Sequence, residues 1–150
     1  MKYFVYTIIT VVAATIVAGF FIVGSPKTER MRRFDDQRIG HLQIIQSEIL
    51  NFWMNKERLP KNLDELTDSL RGFTAPADPE TQLAYEYRIN SALSFELCST
   101  FNLPSMPENL SYPKAVYAPE IYGQENWNHS EGNVCFARTI DKELYKPVKR

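Results

Sequence analysis

The chain has 150 residues, with 17 Lys and Arg against 18 Asp and Glu, for a formal net charge of −1 at pH 7. The two signs are mixed along it, so there is no basic field of the kind that draws nucleic acid, and nucleic acid is not an expected partner. Aromatic side chains make up 13% of the residues, enough to furnish the core of one small domain.

From residue 3 to residue 26 no side chain is charged, and Ile8, Ile9, Val11, Val12, Ile16, Val17 and the run Phe20, Phe21, Ile22, Val23 fill most of the stretch. A helix rises about 1.5 Å per residue and a bilayer's hydrocarbon core is about 30 Å thick, so about 20 apolar residues cross it. The pattern predicts a single transmembrane signal anchor over residues 1–26, with Lys2, Tyr3 and Tyr6 at the headgroups and the lipid bilayer as first partner. A cleaved secretory signal also begins with a basic residue and an apolar run. Here the run is longer than a typical signal core, and the small-residue site Val23-Gly24-Ser25 runs into Pro26.

Two signals for orientation oppose each other. Lys27, Arg30, Arg32 and Arg33 follow the span against one Glu29, which by the positive-inside rule holds the following domain in the cytoplasm. Two cysteines, an even count, suit one disulfide in an oxidising compartment. The reading adopted is a single-pass protein of the cell membrane whose domain, residues 27–150, lies outside the cytoplasm.

Ser25 can cap a new helix with Pro26 at its first position, where the missing N–H costs nothing. That helix is predicted to run to about Lys56, because Ile39, Leu42, Ile45, Ile49 and Trp53 step by three and four, with Ile44, Leu50, Phe52 and Met54 widening the apolar face. Leu59-Pro60 ends it. Asn62 with Glu65 three residues later reads as a capping box for a short helix bearing Leu63, Leu66 and Leu70 and closed by Gly72. The stretch around Pro76, Asp78 and Pro79 is turn material.

Leu83, Tyr85, Tyr87 and Ile89 alternate with polar residues, and after Asn90-Ser91-Ala92 the alternation resumes through Phe95, Leu97, Ser99 and Phe101, a β-hairpin with one buried face. Cys98 falls on the opposite face beside Glu96 and Thr100. Residues 102–132 read as a long proline- and aromatic-rich loop, and a loop of that length is unusual unless it is functional or mobile. Residues 134–140 read as a last strand, with a basic tail behind it. The expected fold class is α+β: an N-terminal transmembrane helix, then a long helix packed on a small antiparallel sheet.

A membrane helix leading into a soluble helix, "Leu-Pro-x-x-Leu-x-x-Leu" at residues 59–66, Asp78-Pro79-Glu80-Thr81, Tyr85-Glu86-Tyr87 and Phe95-Glu96-Leu97-Cys98 together resemble the type IV pilin-like proteins, and most closely the major pseudopilin of type II secretion. The resemblance covers roughly residues 38–101 and implies a pilin-like fold. It does not reach the prepilin leader: the one Gly-Phe pair in the apolar stretch, Gly19-Phe20, lies deep in the span, and no acid follows until Glu29. Filament assembly in that family uses an acid inside the membrane, so the resemblance implies the fold and not the filament. The stretch from Trp127 to Phe136 also resembles the C-terminal domain of uncharacterised bacterial membrane proteins, which implies no activity.

Cys98 and Cys135 are the strongest constellation. Bonded, they would close a loop and stabilise the fold by about 3 to 5 kcal/mol in the chain-entropy model; reduced, they would act as two small buried hydrophobes. A Cys2His2 zinc site with His41 and His129 is a further reading, which no Cys-x-x-Cys or His-x3-His spacing supports. Trp127, His129 and Gly132 are suited to pinning the returning loop to the core, with Gly132 supplying a φ that other residues avoid. There is no Gly-x-Ser-x-Gly, no His-Glu-x-x-His and no phosphate-binding glycine loop, so no catalytic residue, cofactor or small-molecule substrate is assigned.

The sequence therefore reads as a non-catalytic, membrane-tethered interaction or structural protein, meeting a protein partner or itself through Tyr112, Tyr117, Tyr122 and Trp127 on the long loop. Two alternatives stand beside it: a pseudopilin-like subunit of a secretion or pilus system, and a metal or redox protein using Cys98, Cys135 and His129.

Overall fold

In the computed structural model residues 2–23, 25–106 and 126–147 are described, and within the first helix the side chains of residues 2–17 and 19. They divide into two units, Met1–Arg33 and Phe34–Arg150.

In the first unit, helix α1 spans Lys2–Val23. Thr7, Thr10 and Thr15 turn their hydroxyls back onto the carbonyls of Tyr3, Tyr6 and Val11 at 2.9, 2.9 and 3.1 Å. This satisfies the hydroxyls within the helix itself. The expected transmembrane span is not established by the helices as described: among the described residues, none is long and apolar enough to cross a membrane. Helix α2 spans Pro26–Lys56 and begins where the Ser25-Pro26 signal places it, with the Glu29 amide donating to the Ser25 carbonyl at 3.2 Å.

In the second unit α2 buries Leu42, Ile45, Ile49, Leu50 and Trp53, the stripe that its three-and-four spacing predicts. Ile44 is 48% exposed and stays outside that stripe. Against it lies a three-stranded antiparallel sheet in the order β1-β2-β3, with β1 at Glu86–Ser91, β2 at Ser94–Phe101 and β3 at Gly132–Thr139. Phe95, Leu97, Phe101 and Phe136 from the sheet share one core cluster with the helix and with Leu59, Leu63 and Leu66. Each such side chain taken fully from water is worth about 1.5–3 kcal/mol. The α+β class and the helix-on-sheet order are those expected.

Two local expectations are corrected. The helix anticipated from Leu63 to Gly72 is only a 3-10 helix at Leu63–Leu66. Asn62 caps it as predicted, its Oδ1 accepting from the Glu65 amide at 3.1 Å. Beyond Leu66, however, the Asp68 carboxylate accepts from the amides of Leu70 and Arg71 at 2.9 and 3.2 Å. A side chain that satisfies the backbone locally competes with helix. The chain then reverses through Gly72, at φ +65°, to pair Asp68 with Phe73, and Leu70 is left 98% exposed.

The first strand also begins later than its alternation suggests. The Asp78 amide donates to the Leu83 carbonyl at 2.9 Å and Gln82 takes φ +61°, so Leu83 belongs to a turn and is 69% exposed. Ile89, on the edge strand beside a register shift, is 47% exposed. The inward face of β2 is as predicted: Phe95, Leu97, Ser99 and Phe101 are all buried.

Candidate functional site

The described residues hold one polar cluster inside the second unit, centred on Arg38. Asp35 and Arg38 occupy the first buried turns of α2, on the same stripe as Leu42 and Ile45, and each is less than 5% exposed. Charges so deep need partners, because an unpaired ion in a low-dielectric interior is strongly disfavoured. The Arg38 Nη1 donates to Asp35 Oδ1 at 2.8 Å, Nε to Asp78 Oδ2 at 2.6 Å, and Nη2 to Asp78 Oδ1 at 3.3 Å and to Glu80 Oε2 at 2.7 Å.

Three carboxylates around one guanidinium leave excess negative charge, which neutral donors offset. Asp35 accepts from the amides of Asn102 and Leu103, both at 2.9 Å. Asp78 Oδ1 accepts from the amides of Glu80 and Thr81, both at 2.9 Å, and Glu80 accepts from the Asn102 side chain at 2.9 Å. Burial works against the Arg38 charge, but its hydrogen bonds to Asp78, Glu80 and Asp35 outweigh that and raise its pKa. Burial likewise pushes Asp78 up, and the Arg38 guanidinium with the Thr81 and Glu80 amides holds it down at about 2. Asn102 and Arg38 together lower Glu80.

The chemistry of this closed cluster is fastening. It ties α2, the Asp78–Glu80 turn and the end of β2 to one another, and the Arg38 nitrogens Nε, Nη1 and Nη2 all donate to carboxylates. In the sequence Asp78 stands among turn residues, with nothing beside it that marks Arg38 as its partner. The signal available was a charged pair, Asp35 and Arg38, three residues apart on an otherwise apolar helical stripe.

Cys98 and Cys135 are bonded, with Cα atoms 4.0 Å apart, and stand directly opposite one another on β2 and β3. The bond lies on the face of the sheet away from Phe95 and Leu97, where the alternation put Cys98. The histidines of the alternative zinc reading are engaged elsewhere. His41 Nδ1 lies 3.0 Å from the Tyr85 hydroxyl. His129 stacks on Phe101 with ring centroids 3.7 Å apart, and its Nδ1 lies 3.2 Å from the Ser130 carbonyl.

Ser105 and His129 are joined by a reciprocal pair of hydrogen bonds. The Ser105 amide donates to the His129 carbonyl at 2.9 Å, and the His129 amide donates to Ser105 Oγ at 2.9 Å. Of the four candidate interaction residues, Tyr112, Tyr117 and Tyr122 lie outside the described residues. Trp127 is half-buried, its ring 4.8 Å from that of Phe136 and 4.2 Å beneath the Arg138 guanidinium, whose Nε donates to Gln46 on α2 at 2.8 Å. Gly132, at φ +95°, opens β3 directly after. Trp127, His129 and Gly132 thus hold the returning chain on the core.

Compared with protein-family models, with curated proteins and with solved structures, the chain gives no match.

Proposed function

We propose that the chain is a membrane-tethered, non-catalytic interaction or structural protein, with a pilin-like helix-on-sheet domain carried behind the α1 anchor. The observation that carries this reading is the surface of α1. Tyr3, Phe4, Ile9, Val12, Ile16 and Val17 are each at least half exposed, and the stretch contains no charged side chain from residue 3 to residue 26. An apolar surface of that extent is unfavourable in water and calls for lipid or protein around it. With Phe20–Val23 from the sequence, α1 has 22 residues, a length of about 33 Å at the usual helical rise, comparable with a bilayer's apolar thickness.

The disulfide favours a domain outside the cytoplasm, where such bonds persist. The opposed pull of Lys27, Arg30, Arg32 and Arg33 makes sidedness the sharpest test. Intact cells carrying the full chain are treated with a membrane-impermeant thiol reagent before and after reduction with a membrane-impermeant phosphine. Labelling that appears only after reduction is expected; labelling that needs permeabilisation would place the domain inside. Alkaline extraction tests the tether, and release of the chain into the supernatant would refute it.

The contact surface proposed is the proline- and aromatic-rich stretch bearing Tyr112, Tyr117, Tyr122 and Trp127, toward a protein partner or a second copy. Its test is crosslinking in membranes, where replacing Tyr112, Tyr117 and Tyr122 by Ser should abolish the crosslinks formed by the parent chain. An unchanged crosslink pattern would discard this surface. The order of long helix, hairpin and third strand also supports a second reading, a pseudopilin-like subunit of a secretion or pilus system. Comigration with an assembly platform in solubilised membranes is its expected sign.

A further inference from the structure

On the outer face of the sheet, Glu96, Cys98 and Cys135 bring their ligand atoms within 4.8 Å of one another. Glu96 and Cys98 are two residues apart on β2 and so share a face, and Cys135 faces Cys98 across the ladder. Cys98 is 2% exposed, whereas Glu96 is half-buried and Cys135 is open to solvent. Once the bond is reduced, two thiolates and a carboxylate at one point of the sheet make a zinc donor set, three protein ligands with a fourth position for water.

We infer that these three residues form a redox-gated zinc site. In the oxidised chain the sulfurs are bonded to each other and bind no metal. In the reduced chain Cys98 Sγ, Cys135 Sγ and a Glu96 oxygen bind one Zn²⁺. The site is independent of the membrane tether, since it uses only residues of the sheet.

The conversion balances with a dithiol as reductant. Its thiolate attacks the exposed Cys135 sulfur, the Cys98–Cys135 bond breaks, and Cys98 leaves as thiolate. The reductant's second thiol then closes on the mixed disulfide and releases Cys135. Two electrons pass to the protein, the reductant becomes a disulfide, and its two protons go to the cysteines or to solvent. Zn²⁺ binding displaces any proton still on sulfur.

The geometry suits the exchange. Tetrahedral zinc with bonds of about 2.3 Å separates two sulfurs by about 3.8 Å, a spacing that opposed cysteines reach by side-chain rotation. The β2–β3 ladder runs without a break from Ser94↔Thr139 to Phe101↔Gly132, so the strands stay in register when the bond opens. Two thiolates and a carboxylate in contact repel one another, and a dication relieves that repulsion.

The test uses the full chain, reduced with a phosphine, freed of metal and titrated with Zn²⁺ against a chromophoric chelator, with Co²⁺ as the spectroscopic probe. One zinc per reduced chain and none per oxidised chain is expected, with a thiolate-to-cobalt charge-transfer band. Glu96→Gln, an isosteric change at a half-buried position, should weaken zinc by at least the roughly 10- to 100-fold that loss of an outer-shell partner costs. Circular dichroism reports the sheet in parallel. A reduced chain that takes no zinc, whether its sheet persists or melts, overturns the site; so does an affinity that Glu96→Gln leaves unchanged.

Discussion

Arg38 grips Asp78, forty residues further along the chain, through Nε at 2.6 Å and Nη2 at 3.3 Å, inside a domain where both are less than a tenth exposed. This pair joins the longest helix to the turn that feeds the sheet, and the stability of the second unit should depend on it.

Replacing Arg38 by Met keeps the apolar stem but leaves Asp35 and Asp78 buried without their cation. Breaking a buried pair by removing one partner costs about 3–5 kcal/mol. Urea unfolding followed by the fluorescence of Trp53, which is 3% exposed, should show a loss of that order. A loss under about 1 kcal/mol, the worth of a surface ion pair, would show that the cluster does not fasten the fold.

Acid should dissolve the same cluster. Asp78 has its folded pKa depressed from the ordinary 3.8 to about 2, so its contribution is fully present above the unfolded value and is lost as pH falls from about 4 through about 2. Glu80, also lowered, moves in the same sense. In Asp78→Asn the acid limb of the stability curve should flatten by on the order of 2 kcal/mol. An unchanged acid limb in thermal melts taken from pH 5 to pH 2 would contradict this assignment.

At the alkaline end Tyr87 behaves in the opposite way. Burial, with Glu65 nearby, raises its phenol from 10.0 to about 12, and its hydroxyl donates to the Pro60 carbonyl at 3.0 Å. The stability it confers is present below pH 10 and is lost as pH rises toward 12. Tyr87→Phe should cost about 1 kcal/mol at neutral pH through the missing hydrogen bond, and should reduce the loss seen above pH 10.

The Cys98–Cys135 bond closes a loop with a sequence separation of 37, for which the chain-entropy model gives about 4 kcal/mol. The double variant Cys98→Ala with Cys135→Ala should be destabilised by about 3–4 kcal/mol yet keep its sheet, because the β2–β3 ladder and the Ser105–His129 clasp remain. Denaturant unfolding against the oxidised parent measures this, and peptide mapping without reductant should recover the 98–135 bridge.

The elements read most readily from the sequence were those whose signal is local. The three-and-four spacing in α2, the alternation in β2 and the Asn62 cap each depend on residues a few positions apart. The helix expected from Leu63 to Gly72 failed for an equally local reason: the Asp68 side chain captures two backbone amides and turns the chain. Leu83 and Ile89 fit the alternation but escape burial, since one sits in a turn and the other on an edge strand, and periodicity does not report what covers a face.

By itself, the sequence determined the uncharged apolar N-terminal stretch, the α2 stripe, the inward face of β2 and the opposite face on which Cys98 stands, because each follows from helical or strand period and side-chain polarity. Only the tertiary structure decided that β3 lies antiparallel to β2 in the register that opposes Cys135 to Cys98, and that Asp35, Arg38, Asp78, Glu80 and Asn102 converge. The contacts that close the cluster and pair β3 with β2 join residues tens of positions apart. Their partners are selected by the demand that every buried charge be matched, and the spacing of residues along the chain does not encode which distant turn will supply the match.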